Sequence, residues 1–225
     1  MSPQILPPDA RPREKLLQRG PQALSDSELL AIVLRTGTAQ QPVLSYAQGL
    51  LDRFQGLARL MHASAHELMQ TPGLGPAKSA EILAIRALAM RALEESLGSR
   101  PVFEHPRAVK DYVGMHLRQL EREVFAVLFL DHHHRMLTLQ TLFTGTLTQA
   151  SVHPREVVKS ALAHNAAAVL LCHNHPSGVA EPSRADEAIT RTLQAALKLV
   201  DVRVLDHLIV GQDEVSSMAE MGLLG

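Results

Sequence analysis

Ala166-Ala167-Ala168-Val169-Leu170-Leu171-Cys172-His173-Asn174-His175-Pro176-Ser177-Gly178, continued by Val179-Ala180-Glu181-Pro182-Ser183-Arg184-Ala185-Asp186, carries two imidazoles and a carboxylate across the junction of a strand and a helix. The apolar run up to Cys172 reads as a buried strand, so His173 and His175, two apart at its end, point to the same side. Cys172 alternates away from His173 and reads as core packing. Pro182-Ser183, followed by apolar residues at helical spacing from Arg184 to Val200, reads as a helix start. Asp186 then lies one turn in, facing the strand end. Ser-x-x-Asp is also an ordinary capping box, and a His pair beside a loop is often polar surface. Together, however, His173, His175 and Asp186 form a His/His/carboxylate set that leaves one coordination position open, the arrangement of catalytic rather than structural zinc.

Composition accommodates this reading. The chain has 225 residues, 46% of them hydrophobic, enough for one large or two modest domains with a real core. Its single cysteine rules out a disulfide framework and fits a reducing cytosol. No apolar run has membrane-spanning length, and Met1-Ser2-Pro3-Gln4 lacks a signal pattern, so a cytoplasmic protein without a membrane partner is expected.

Two halves differ in pattern. Residues 1–98 read as helical, with apolar periodicity over Leu24 to Leu34, Val43 to Phe54, Leu57 to Met61 and Ala77 to Leu93. Leu97-Gly98-Ser99-Arg100-Pro101 breaks the pattern and marks the expected boundary. Residues 102–225 mix a helix over Pro106 to Leu120, strands over Val124 to Leu130, Met136 to Phe143 and Thr146 to Val152, a helix over Pro154 to Asn165, then the metal motif, its helix and a strand over Val202 to Val210. The fold class is α+β.

Within the first half, Leu68 to Pro72, Gly73-Leu74-Gly75 and the helix from Pro76 form a helix-hairpin-helix pattern over about residues 68–92. Glycines at positions 73 and 75 let backbone approach a phosphate, the next helix offers its first N–H groups, and Lys78 supplies charge, a mode that binds DNA without reading its sequence. A tight helix-helix turn explains the same residues. Residues 1–98 hold 10 Lys+Arg against 9 Asp+Glu, so any DNA contact is local. Other histidines read as structural: His132-His133-His134 as a solvated turn, and His62 and His66 because Gln70 stands where an H-E-x-x-H motif would need histidine.

At His173-Asn174-His175-Pro176-Ser177-Gly178 and Pro182-Ser183-Arg184-Ala185-Asp186 the chain resembles the JAMM metalloprotease domain, specifically the bacterial RadC family. Pro12-Arg13-Glu14-Lys15-Leu16-Leu17, Glu28-Leu29-Leu30-Ala31, Gly73-Leu74-Gly75-Pro76-Ala77-Lys78, Val152-His153-Pro154-Arg155-Glu156-Val157 and Asp206-His207 extend the likeness over nearly the whole chain. The resemblance implies an α/β/α domain with a curved, mostly antiparallel sheet, and one Zn2+, or another divalent ion such as Mn2+, on His173, His175 and Asp186. It also implies a general base far upstream at the start of a core strand. Glu123, opening Glu123-Val124-Phe125-Ala126-Val127-Leu128-Phe129, matches that place, although by itself it reads as a solvated charge. Glu156 is the rival base, with a structural explanation as a first-turn charge on its helix. Ser183 has two roles open to it, helix cap or oxyanion donor, and the resemblance favours the second. Asp206-His207 reads as a pair behind the ligands or as a buried, satisfied histidine.

Three functions follow as expectations. The first is a zinc peptidase or isopeptidase acting on a protein or peptide, in the DNA repair and recombination setting that the resemblance implies. The second is a metal-dependent nuclease on branched or damaged DNA. The third is a DNA-bound scaffold without catalysis.

Overall fold

The computed structural model describes residues 11–145 and 152–224. Among the described residues six α-helices come first: α1 (Pro12–Arg19), α2 (Asp26–Leu34), α3 (Val43–Arg53), α4 (Leu57–His62), α5 (Ala65–Met69) and α6 (Pro76–Ser99). Local chemistry starts two of them. Ser25 Oγ accepts from Glu28 N while Glu28 Oε2 accepts from Ser25 N (2.8 Å), and Ser64 with Glu67 repeats this box at α5. Lys15 Nζ lies 2.9 Å from Glu28 Oε1, tying α1 to α2. Leu30, Leu34, Leu50, Leu60, Leu68 and Ile82 form the core of this part, each burial contributing about 1.5–3 kcal/mol.

The chain divides into compact units between Ala89 and Met90, inside α6. Helix α6 continues through the stretch where the sequence suggests a break, because Leu97 is buried in the second unit's core and Gly98, though a weak helix former, is tolerated there. Pro101 follows its end.

The second unit is α+β. After α7 (Pro106–Leu117) come β1 (Val124–Leu130), β2 (Met136–Thr144), α8 (Pro154–Ala163), β3 (Ala168–Asn174), α9 (Arg184–Lys198), β4 (Arg203–Val210) and β5 (Val215–Ser217). The sheet is open, ordered β2-β1-β3-β4-β5. Only β3 and β4 run parallel; the other three neighbouring pairs are antiparallel. β1 and β3 are buried along their whole length, which explains their unbroken apolar runs. One face of the sheet packs Ala126, Leu128 and Cys172 against Val113 and Leu117 of α7. The other packs Phe125, Val127 and Leu171 against Val157 of α8 and Leu193 and Leu197 of α9. Helices thus cover both faces of the sheet.

Most of the expected strand Thr146 to Val152 lies outside the described residues. Strand β5 has no counterpart among the expected elements, three residues being too few for a period to register. No helix among the described residues is long and apolar enough to cross a membrane.

Candidate metal centre

His173 and Asn174 are the last two residues of β3, and His175 N donates to Val210 O at 2.9 Å, keeping the chain alongside β4 before it turns. Gly178 completes that turn at φ 88°, and a Cβ there would stand 3.2 Å from Gln212 Cβ. The two imidazoles converge, with Nε2 atoms 2.9 Å apart. Asp186, delivered by the first turn of α9, places Oδ1 3.2 Å from His173 Nε2 and Oδ2 3.6 Å from His175 Nε2. Asp186 thus approaches each histidine with a different oxygen, at separations near the about 3.3–3.4 Å between ligand atoms of a tetrahedral zinc.

The first turn of α9 repeats the capping box of α2 and α5: Ser183 Oγ accepts from Asp186 N (3.2 Å) and Asp186 Oδ2 accepts from Ser183 N (2.6 Å). What differs is burial. Asp186 is fully buried, and its Oδ1 accepts no hydrogen bond although His173 Nε2 is near. His175 Nδ1 faces Val179 O at 2.7 Å; a carbonyl only accepts, so Nδ1 carries a proton and Nε2 is the ring nitrogen turned toward His173 and Asp186. Two imidazole nitrogens and a buried carboxylate oxygen that face one another in this way are groups that could hold a cation. Burial works against the Asp186 charge, but the contacts to His173 and His175 outweigh it and hold its carboxyl well below the usual range. Asp186 in turn pushes His175 up, with burial opposing.

Glu123, just ahead of β1, forms with the two histidines the group whose atoms could hold a metal ion: one carboxylate oxygen and one ring nitrogen each from His173 and His175 all lie within 4.8 Å of one another. Antiparallel pairing brings it there, since Phe125 is the register partner of His173. Asn174 then fixes the approach. Its Oδ1 accepts from Val124 N (2.8 Å), and its Nδ2 donates to Leu120 O (3.2 Å) and Arg122 O (3.1 Å), clasping the segment that carries Glu123. Glu156 sits elsewhere, paired on α8 with Arg155 and Lys159 at 3.0 Å each, and Lys159 first, then Arg155, holds its carboxyl below the usual range. Ser183 is exposed, and because its oxygen accepts from Asp186 N, its hydroxyl proton remains available to a ligand. The cap and the donor are therefore compatible, contrary to the choice between roles that the sequence poses.

In the hairpin of the first unit, Gly73 adopts φ 86°, and a Cβ there would stand 2.7 Å from both Thr38 Cγ2 and Tyr46 Oη. Tyr46 Oη donates to Pro72 O at 2.9 Å. The close approach that needs Gly73 is thus made by Tyr46. Lys78 Nζ donates to Thr36 O (2.7 Å) and Gly37 O (2.9 Å) and lies 5.1 Å from the centroid of the Tyr46 ring, so its charge serves the loop after α2. A Cβ at Gly75 would meet nothing within 4 Å.

Residues 103–223 match the family described as RadC-like JAB domain, and residues 4–80 match the UPF0758 N-terminal family. The chain belongs to the RadC-like JAB family. It is similar to a UPF0758 protein of Methylibium petroleiphilum, 62% identical over 219 residues, covering 97% of this chain and 99% of that protein. UPF0758 proteins of Polaromonas sp. and Variovorax paradoxus are each 58% identical, covering 97% of this chain and 98% of theirs.

Two residues of this RadC-like domain escape a reading by motif. Asn174 sits between the two histidines without an apparent task until β1 pairs with β3. Thr190, fully buried, faces His207 across 2.6 Å; its one sequence signal is its place four residues after Asp186 on a buried stripe otherwise continued by Leu193 and Leu197.

Proposed function

We propose that this protein is a zinc-dependent hydrolase of the JAMM type, a metallopeptidase or isopeptidase, with His173, His175 and Asp186 as the metal ligands. The observation that carries the reading is the convergence of two imidazole nitrogens, 2.9 Å apart, with a buried carboxylate whose Oδ1 accepts no hydrogen bond. A divalent ion held there would supply Lewis acidity, polarising an amide carbonyl and acidifying water. Glu123, within 4.8 Å of both ring nitrogens, accepts a proton from the attacking water and returns it to the leaving amine. Ser183 donates its hydroxyl proton to the oxyanion that forms, while its oxygen keeps hold of Asp186 N. Family membership supports a hydrolase, and the buried lone cysteine accords with a cytoplasmic setting.

A DNA role for the hairpin rests on Gly75 and on the amides of Ala77 and Lys78, which precede the first helical bond of α6, from Ser79 N to Gly75 O. The substrate test is parallel incubation of the zinc-loaded protein with an isopeptide-linked protein and with a branched DNA, using Glu123→Gln as the control. Cleavage of the isopeptide that falls by about two to four orders of magnitude in the variant, with zinc retained, is the expected result. Cleavage of the DNA alone would overturn the peptidase reading.

A further inference from the structure

Behind the three ligands runs a buried chain of hydrogen-bonding groups that the hydrolytic chemistry does not use. His173 Nδ1 lies 2.8 Å from His207 Nε2, His207 Nδ1 lies 2.6 Å from Thr190 Oγ1, and Thr190 Oγ1 donates to Asp186 O at 2.5 Å. All four residues are fully buried or nearly so. His207 spends both ring nitrogens on an imidazole and a hydroxyl, neither of them an anion, so the ring is neutral with one proton to place. Phe125 holds the rings in position, stacked on His173 at 6.3 Å and edge-on to His207 at 5.6 Å between centroids.

Such a chain has two directions. If Thr190 gives its proton to His207, then His207 Nε2–H donates to His173, and His173 carries its own proton on Nε2, facing Asp186 and His175. That direction closes the metal position. If Thr190 gives its proton to the Asp186 carbonyl, it accepts from His207 Nδ1–H, His207 Nε2 accepts from His173 Nδ1–H, and His173 Nε2 is a lone pair. The Thr190 hydroxyl sits four residues after Asp186 on the same helix, where bonding back to the carbonyl is the local geometry, and that selects the second direction.

We infer that Thr190 and His207 are positioning residues that hold His173 in its Nδ1–H tautomer, so that Nε2 faces the metal position. The inference rests on the metal reading of His173, His175 and Asp186. It gives His207 the task that a carboxylate or carbonyl performs behind a metal-bound histidine elsewhere, with an imidazole made into an acceptor by a hydroxyl further back. It also couples α9 to the site twice, through the Asp186 side chain and through the Asp186 carbonyl.

The test combines affinity with a tautomer signature. Zn2+ is titrated into metal-free full-length protein against a competing chelator for wild type, Thr190→Val and Thr190→Ser, and long-range proton–nitrogen NMR correlations report which ring nitrogen of His173 and His207 is protonated. Valine offers His207 Nδ1 no acceptor, so His207 moves its proton to Nε2 and His173 is driven to Nε2–H. Zinc affinity should fall about 10- to 100-fold in Thr190→Val. Thr190→Ser, which keeps the hydroxyl, should match wild type. In zinc-loaded wild type, both His173 and His207 should be protonated on Nδ1. Wild-type affinity in a folded Thr190→Val, or a proton on His207 Nε2 in the loaded wild type, would overturn the inference while leaving the metal reading intact. Should Thr190→Val not fold, the wild-type NMR signature still decides. Absence of zinc binding by wild type would overturn the metal reading itself and this inference with it.

Discussion

Asp186 does two jobs with one carboxylate: Oδ2 closes the capping box of α9, and Oδ1, buried and without a hydrogen bond, faces His173. The described residues contain three boxes of this kind, and in the sequence they look alike. Glu28 and Glu67 cap at the surface, whereas Asp186 is buried by the sheet, a difference that arises from tertiary packing and is absent from the spacing. The proximity of His173, His175 and Asp186 was legible, because H-x-H at a strand end and S-x-x-D at a helix start are local geometry. Asn174, Thr190 and the ring partners of His207 were not, since each works through a contact 17 to 54 residues away in the chain or through its place on a buried stripe. Asn174→Ala tests one of them. It leaves Val124 N–H and two carbonyls without their partner, which should cost about 1–3 kcal/mol and lower turnover by loosening Glu123, with the zinc content unchanged. Thermal unfolding, turnover and metal analysis on the same preparation check it; full turnover in Asn174→Ala would mean that Glu123 is held by other means.

At the scale of elements, unbroken apolar runs identified β1 and β3, and helical spacing identified α9. Where the reading diverged, competing forces are visible: the burial of Leu97 carries α6 past a weak helix-forming glycine, and β5 is too short to show a period. The hairpin makes the sharpest element-scale distinction. Val at Gly73 would meet Tyr46 and Thr38 and would hold a branched residue at positive φ, so Gly73→Val should destabilise its unit by about 3 kcal/mol or more. Gly75→Val meets nothing and should cost no more than about 1 kcal/mol. Gly75→Val is therefore the clean probe of DNA contact: if the amides beside it bind phosphate, affinity for duplex DNA falls in a fully folded variant. Unchanged affinity there would reduce the hairpin to a turn.

Across the whole molecule, the candidate metal centre belongs to the second compact unit, with its ligands on β3, the loop that follows it and α9. Ligand binding stabilises what it binds, by about 2.7 kcal/mol at one hundred times the dissociation constant. Hydrogen exchange with and without Zn2+ should therefore show added protection in β3, α9 and β4 and none in residues 68–82; protection spread evenly over both units would speak against a localised site. The same linkage requires deprotonated imidazoles, so zinc affinity should weaken as pH falls through the histidine range. The central claim is that His173, His175 and Asp186 together hold one ion, and calorimetric titration of metal-free protein with Zn2+, wild type beside His175→Ala, tests it most directly. About one tight site per chain is expected in wild type, and loss of that site in the variant. Equal stoichiometry and affinity in the two proteins would contradict it.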